Sequence, residues 1–268
     1  MGDFQVAPSV VVGIDGSRAA IQTAVWAVDE AVNRDIPLRL VYVVDPVELS
    51  TAESDHGQFA AARAALYDAQ RAVVATGEPV KIETEMLIGQ PLAKLAQESR
   101  SAVMVCVGSI GVKDACGGGG SVAAVLPRVA RCPVAVLRGS RGPAKANGCS
   151  VVVEVDNGVV LRHAFEVAKL RSAPLRAVAA WRAEAPDDIA DGTRLARAQL
   201  NRRIDRWTRL YPDVTIEPTV IRGGLREYLA KNAESVGVFV TGAGGEHYDL
   251  GARGALDCSV LTIPPGNL

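Results

Sequence analysis

The sequence lacks the features that mark several large classes of protein. Aromatic residues make up only 4% of its 268 residues, so a core must be built from aliphatic side chains. Its five cysteines are an odd number without CxxC spacing, which argues against a disulfide scaffold and a zinc finger. The net charge of −1 leaves no basic excess for nucleic acid. No apolar run approaches the roughly 20 residues of a membrane helix, and no export signal is visible, so we expect a cytoplasmic protein.

Motifs of the common catalytic sites are missing as well. The three histidines, His56, His163 and His247, are scattered and have no partner at metal or triad spacing. The sequence contains no GxSxG elbow, no HExxH and no Walker lysine. We therefore expect no catalytic residue and no protein-bound metal cluster, and we predict that the chain is not an enzyme.

What the chain does contain is an internal repeat. An apolar run that ends in an acidic residue occurs at Ser9–Ser17 and again at Cys149–Gly158. Each copy is followed by an amphipathic segment, by Pro-Leu-Arg with a second apolar run, and later by two glycine-ended apolar runs in the same order. Such periodic similarity predicts tandem units. We place them at residues 1–140 and 148–268, with the Gly- and Pro-rich segment Gly139–Gly148 as the linker.

Within each unit, near-continuous aliphatic runs alternate with segments of helical periodicity. The first unit shows such runs at Val10–Ile14, Leu38–Val44 and Val134–Leu137, among others. Runs of this kind are typical of strands that are buried on both faces. We therefore predict an α/β fold in which each unit is a doubly wound parallel-sheet sandwich of about five strands, with Rossmann-like crossovers.

Three features of the first unit follow predicted strands at the carboxyl end, where doubly wound sheets bind ligands. Asp15 follows the first strand, Val43 lies at the end of the second, and a glycine-rich segment with Ser121 follows the fourth. Backbone N–H groups of a glycine loop at a helix N-terminus suit a polyphosphate, and Ser121 would cap that helix. The alternative is that the glycines only form a turn and that Asp15 caps a helix.

These motifs resemble the universal stress protein family in its tandem form. ATP-binding members share a pattern of Gly, two residues, Gly, nine residues, then Gly-Ser or Gly-Thr; here eight residues separate Gly111 from Gly120. The resemblance implies a site for ATP, with Mg²⁺, formed by eight residues: Asp15 and Val43 at the adenine; Val107, Gly108 and Gly111 along the sugar and phosphates; Gly120, Ser121 and Val122 at the last phosphates.

The second unit departs further from that pattern. Asp156 and the pair Gly242 and Gly245 remain, but Ala180 replaces the valine of the base pocket. From Gly108 to Cys132 is 24 positions, whereas from Gly242 to Cys258 is 16, so about two helical turns are missing. We predict a degenerate second unit whose fourth helix is truncated or absent and which binds triphosphate poorly or not at all.

The resemblance implies an ATP-binding regulatory module in a stress response. The alternative is a stress-related interaction protein that no longer binds nucleotide. A second rival, an adenylating α/β enzyme, would need a Ser- and Gly-rich loop after the first strand, where this chain has Asp15–Arg18. We also expect the last strand, Val260–Ile263, to pair with Val134–Leu137 as an intramolecular pseudo-dimer, with a homodimer as a further option. The protein partner and the signal stay open.

Overall fold

Strands and helices alternate regularly through the part of the chain that the structure describes. The computed structural model describes residues 7–46, 52–109, 122–138, 149–155, 157–181, 189–243 and 258–265. The chain divides into two units, Met1–Pro143 and Ala144–Leu268. Cis peptide bonds are absent from the described ranges.

The first unit contains five strands and four helices among its described residues. In chain order they are β1 Val10–Ile14, α1 Arg18–Arg34, β2 Leu38–Val44, α2 Ala52–Val74, β3 Ile82–Ile88, α3 Pro91–Glu98, β4 Met104–Gly108, α4 Val122–Val129 and β5 Val134–Leu137. The strand order is β3-β2-β1-β4-β5, and every pair is parallel. The solvent-accessible fraction of Val10, Val11 and Val12 is 0%, as expected for a central strand that is covered on both faces.

Local sequence explains where the first helix begins and ends. The Ser17 hydroxyl accepts a hydrogen bond from the Ala20 N–H at 3.1 Å and so forms the N-cap of α1. At the other end Asp35 adopts a left-handed conformation (φ 51°), and its N–H donates to the carbonyls of Ala31 and Val32. The helix buries a stripe of small residues that includes Ala24 and Ala27, so it can approach the sheet closely.

Helices cover both faces of the first unit's sheet. On one face α3 and α4 pack with the strands around Leu95 and Leu126, in a cluster that also contains Val41 and Val105. Helices α1 and α2 pack against each other and against β1 and β2. This is the two-sided arrangement that right-handed crossovers between parallel strands produce.

The second unit repeats this plan. Its elements are β6 Ser150–Glu154, α5 Gly158–Leu170, β7 Leu175–Trp181, α6 Ile189–Leu210, β8 Ile216–Arg222, α7 Leu225–Lys231, β9 Val236–Gly242 and β10 Ser259–Ile263. The strand order is β10-β9-β6-β7-β8, again parallel. Helices α5 and α6 are joined by stacked rings, with Phe165 6.0 Å from Trp207 and 5.2 Å from Tyr211 between centroids.

The predicted architecture of tandem, doubly wound α/β units is confirmed. For the third and fourth strands the sequence pattern predicts Lys81–Leu87 and Val103–Val107, and the observed β3 and β4 each begin and end one residue later. The predicted linker and the shortened fourth helix of the second unit fall outside the described residues, and the pairing of Val134–Leu137 with Val260–Ile263 stays a prediction. Within the described ranges, no helix is long and apolar enough to cross a bilayer.

Candidate functional site

The carboxyl ends of β1 and β4 define the candidate site in the first unit. From β1 the chain proceeds outward to β2 and β3, then returns to β4 on the other side of β1, so the crevice between β1 and β4 is the switch point of the sheet. Asp15 follows β1 directly, and the pairing of Ile14 with Tyr42 puts Asp15 beside Val43. Sequence reasoning therefore placed Asp15 and Val43 on neighbouring strand ends, and the structure does the same.

Asp15 is held by the turn into α1. Its Oδ1 accepts a hydrogen bond from the Ser17 N–H at 2.9 Å, and Gly16 between them has a φ of +83°, a conformation that glycine adopts freely. The first turn of α1 thus begins at the same edge, with its N–H groups and the positive end of its dipole near the strand ends. Asp15 does help to start a helix, as the alternative interpretation held. Its carboxylate is half-buried and, with two oxygens, can accept more hydrogen bonds than the one from Ser17.

Gly108 ends β4 where the sheet and α1 approach each other most closely. A Cβ at this position would lie 3.0 Å from the Ala19 Cβ, 3.1 Å from the Ala19 carbonyl carbon and 3.2 Å from the Ala20 nitrogen. Because two of these three atoms belong to backbone, they cannot move aside as the end of a side chain can. Gly108 therefore has a packing role, which is independent of any contact with phosphate.

The three valines of the predicted site lie on the face covered by α3 and α4. Val43 and Val122 are partly buried and pack against the cluster that contains Val107. Val107 itself is only 5% exposed, so its side chain belongs to the core and only its backbone can face a ligand. Val122 is the first residue of α4, which begins at the same end of the sheet.

The glycine loop between β4 and α4 is described only at its two ends. Gly111, Gly120 and Ser121 lie outside the described residues. Ser109, the first residue after β4, donates its N–H to the Leu137 carbonyl at 2.8 Å. Its hydroxyl oxygen is buried and has no hydrogen-bond partner in the structure. A hydroxyl in that state can still donate to or accept from a polar ligand.

Sequence reasoning missed a contact between two loops at this edge. The Gln90 side chain donates from Nε2 to Asp45 Oδ1 at 3.2 Å, and the Gly89 N–H donates to the Val44 carbonyl at 2.9 Å. These bonds join the ends of β2 and β3 beside Val43. The available signal was the Gly-Gln-Pro sequence, because Pro91 is the first residue of α3 and proline favours a helix start.

A partly buried ion-pair network joins β2 to β3 and α3. The Arg39 side chain is 11% exposed and binds the carboxylates of Glu85 on β3 and Glu98 on α3, the latter at 2.9 Å. Burial lowers the pKa of Arg39, but the hydrogen bonds that Arg39 donates to both glutamates, together with their negative charges, outweigh that effect, so its pKa is raised and the guanidinium stays charged. The network fixes β2, β3 and α3 relative to one another, which positions the loops that follow β2 and β3.

The equivalent edge of the second unit is built differently. The Arg203 guanidinium of α6 donates to the carbonyl of Val155, the residue after β6, at 2.6 Å. In the first unit the residue of α2 beside the turn that follows β1 is Ala65. Ala65 is a buried methyl group that lies 3.6 Å from a Cβ placed on Gly16. An arginine thus covers the first strand end of unit two, where unit one has a methyl group.

Two further differences separate these edges. A Cβ on Gly242 would lie 3.5 Å from a Val160 methyl group, which is an ordinary van der Waals contact. A Cβ on its counterpart, Gly108, would lie only 3.0 Å from the Ala19 Cβ. Ala180, at the position of Val43, is exposed. Asp156 and Gly245 fall outside the described residues. No cluster of His, Cys, Asp or Glu suited to a metal occurs in the described parts of either unit.

Comparison with known proteins agrees with this architecture. The model of the "Universal stress protein family" matches residues 8–138, which lie in the first unit. Universal stress protein Rv3134c of Mycobacterium tuberculosis is 57% identical over 270 residues, which cover 100% of both chains. Universal stress protein Rv2028c of the same species is 41% identical, over 95% of this chain and 92% of that one.

Solved structures resemble the chain at the level of the fold. A universal stress protein from Archaeoglobus fulgidus has a TM-score of 0.69 at 15% identity and covers 96% of each chain. A second one, from Pseudomonas aeruginosa, has a TM-score of 0.58 at 16% identity, over 99% of this chain and 96% of that one. These identities support the fold alone.

Fold and strand-end geometry together define a tandem protein of two doubly wound α/β units, the first of which has a carboxylate, Asp15, directly after its first strand. Relatives of 57% and 41% identity over almost the full length make the assignment specific. The chain belongs to the universal stress protein family, as the sequence motifs indicated.

Proposed function

We propose that this chain is an ATP-binding regulatory protein whose first unit holds the nucleotide. The observation that carries the proposal is the position of Asp15: its carboxylate follows β1 at the switch point of the sheet, beside Val43 and the first turn of α1. A carboxylate at such a strand end can accept hydrogen bonds from the amino group of a base or from a ribose hydroxyl. The small side chain of Ala65 beside the turn at Gly16 supports the same proposal, because it occupies little space next to Asp15.

The residues at this edge fit a nucleoside polyphosphate in several respects. The buried Ser109 hydroxyl is without a partner at the start of the glycine loop, where a sugar or phosphate oxygen would satisfy it. Val43 offers an apolar contact for a base, and the backbone of Val107 and Gly108 faces the sugar. Gly111, Gly120, Ser121 and Val122 would bind the phosphates through backbone N–H groups and the hydroxyl.

A divalent cation would enter together with the nucleotide. Because the described residues hold no cluster of protein ligands for a metal, Mg²⁺ would be coordinated mainly by phosphate oxygens and water. ATP supplies charge and hydrogen-bond acceptors here, and the chain's own residues bind and orient it. Rapid hydrolysis is not expected, since the sequence contains no Walker lysine and no other motif that places a cation at a transferred phosphoryl group. We therefore propose a binding and regulatory role in a stress response rather than an enzymatic one.

Isothermal titration calorimetry of the full chain with ATP and Mg²⁺ tests the proposal. We expect saturable binding to the wild type, and a loss of at least tenfold in affinity for Asp15→Ala, because the substitution removes a charge-assisted hydrogen bond. Asp68→Ala is the matched control: it removes an exposed carboxylate on α2 and should leave the affinity unchanged.

Two results would contradict the proposal. If the wild type shows no heat of binding at millimolar ATP, the chain is instead an interaction protein without a nucleotide. If Asp15→Ala and Asp68→Ala bind ATP as well as the wild type does, the nucleotide lies elsewhere. Far-ultraviolet circular dichroism of each variant would show whether the fold is retained, so that a loss of binding is not mistaken for unfolding.

A further inference from the structure

Strand β3 forms an edge of the first unit's sheet, with β2 as its partner. The Lys81 carbonyl accepts from the Leu38 N–H at 2.9 Å, and the Gly89 N–H donates to the Val44 carbonyl at 2.9 Å. In a parallel pair, alternate residues direct their backbone groups to the neighbour, so the odd-numbered residues of β3 face β2. The N–H and C=O groups of Ile82, Thr84, Met86 and Ile88 therefore point outward from the sheet.

The side chains of these outward-facing residues are unusually apolar for an edge. The side chains of Met86 and Ile88 are 36% and 53% exposed. Thr84, which lies nearer the start of the strand, is exposed as well. Soluble proteins normally protect a sheet edge with proline, with charge or with a covering element. In β3 the charged residues, Glu83 and Glu85, lie on the opposite face, where Arg39 binds Glu85.

The second unit protects the equivalent strand in all three ways. In β8, Pro218 occupies the position of Thr84 and has no N–H to offer. Its carbonyl is capped by the Arg197 guanidinium of α6 at 2.7 Å. Arg222 occupies the position of Ile88. One chain thus contains both a protected and an unprotected version of the same edge, which indicates that the β3 edge is kept available for pairing.

We propose that β3 pairs with β3 of a second copy of this chain, antiparallel and about a two-fold axis that passes through Met86. Each Met86 then exchanges two backbone hydrogen bonds with its counterpart, and each Thr84 does so with Ile88 of the partner subunit. All outward-facing groups of these three residues are satisfied, and the exposed apolar side chains contact one another across the axis.

Charge selects this register over its neighbour. A two-fold axis at Glu85 would place the two Glu85 carboxylates opposite each other, which is unfavourable. With the axis at Met86, Glu85 faces Leu87 of the partner subunit, and Glu83 faces Gly89 of the partner subunit. The Lys94 side chain passes over Gly89, since a Cβ there would lie 2.6 Å from Lys94 Cε. Glu83, which pairs with Lys81 of its own strand at 2.7 Å, therefore also meets Lys94 of the partner subunit, and the dimer adds two such contacts.

Sedimentation equilibrium of the full chain tests the proposal. The wild type should be a reversible dimer, and Ile88→Arg and Thr84→Pro, which introduce the residues that unit two has, should each give monomers. Ile88→Arg changes an exposed side chain and should not impair folding, which thermal unfolding checks. Val74→Arg, at a 63% exposed residue of α2, is the matched control and should remain a dimer.

The register is tested by charge reversal and by cross-linking. Glu83→Lys and Lys94→Glu should each weaken the dimer by about tenfold, and the double reversal should restore it. Under mild oxidation Met86→Cys should form a disulfide with its counterpart, because directly hydrogen-bonded positions lie about 5.5 Å apart between Cα atoms. Thr84→Cys should not, since it faces Ile88 of the partner subunit; peptide mapping by mass spectrometry identifies the bond.

A wild-type chain that is monomeric at every concentration would overturn the proposal. So would a dimer that survives both Ile88→Arg and Thr84→Pro, because its interface would then lie elsewhere. Capture of a different protein by a monomeric wild type would likewise reject the second copy as the occupant of this edge. Neither the dimer nor its tests depend on nucleotide binding.

Discussion

The two units share one strand plan yet treat the end of their first strand in opposite ways. In unit one the helix that covers this end presents Ala65, and a carboxylate follows the strand at the switch point. In unit two the matching helix, α6, presents Arg203, which donates to the carbonyl of Val155, the residue after β6. Buried aliphatic residues thus keep the same sheet in both units. A single residue on the covering helix determines whether a ligand can reach the end of the first strand.

The largest expected effect comes from exchanging those two side chains. Ala65→Arg should place a guanidinium over the end of β1 and reduce ATP affinity by roughly a hundredfold, or about 2.7 kcal/mol. Ala64→Arg is the matched control, because it adds the same charge at the neighbouring exposed position. Calorimetry checks both variants. Equal affinity in Ala65→Arg and Ala64→Arg would show that this helix position does not control access.

The two glycines that end β4 and β9 allow a second comparison. Gly108→Ala should destabilise the chain by about 2 kcal/mol, because the new Cβ meets the backbone of Ala19 and Ala20. Gly242→Ala should change stability by no more than about 0.5 kcal/mol, since its Cβ has ordinary room. Urea denaturation measures both. Equal losses would mean that α1 and α5 approach their sheets equally closely.

The matching arginines of β2 and β7 differ in their partners. Arg39 binds two carboxylates, whereas Arg176 binds Glu217 at 3.2 Å and Ser235 at 3.3 Å. Arg39→Met should cost about 1.5 kcal/mol, because it leaves the 17% exposed Glu98 carboxylate without its ion pair. Arg176→Met should cost about half as much, because Glu217 is well exposed. The free energy of unfolding of each variant shows which arginine contributes more. A larger loss for Arg176→Met than for Arg39→Met would contradict the prediction.

The smallest effect concerns a thiol in the core of unit one. Burial raises the pKa of Cys132 from its ordinary value of 9.0 to about 12, although two backbone hydrogen bonds oppose the shift. The folded state keeps the thiol neutral, so stability is retained below pH 9 and lost as the pH rises toward 12, because the unfolded chain ionises first. Between pH 8 and 10 the wild type should lose about 1 kcal/mol more than Cys132→Ala does.

The control for that effect is Cys149→Ala, which removes a partly exposed thiol and should retain the full alkaline loss. Denaturant titrations at several pH values give the slopes. If Cys132→Ala and the wild type lose stability in parallel, the thiol of Cys132 ionises as readily in the folded chain as in the unfolded one.

Local patterns predicted the elements well because strands and caps depend on adjacent residues. The aliphatic run Val10–Ile14 could only be a doubly covered strand, and Ser17 before a helical pattern is a strong N-cap signal. The neighbourhood of Asp15 and Val43 also followed, because parallel strands align their carboxyl ends.

Features that depend on tertiary distance could not be predicted in the same way. The burial of Val107, the hydrogen bond between Gln90 and Asp45, and the reach of Arg203 to Val155 each join residues that are far apart in sequence. Nothing in the sequence of α6 separates Arg203 from the arginines near it, and only the tertiary structure shows its partner. The packing role of Gly108 could not be predicted either. The sequence motif suggested a phosphate contact, whereas the structure adds the close approach of α1.

Counting nucleotides by native mass spectrometry tests the central claim most directly. With ATP and Mg²⁺ we predict one nucleotide for each chain, lost in Asp15→Ala and retained in Asp156→Ala, the substitution at the matching residue of unit two. Two nucleotides for each chain, or a single one that disappears in Asp156→Ala and persists in Asp15→Ala, would contradict the account.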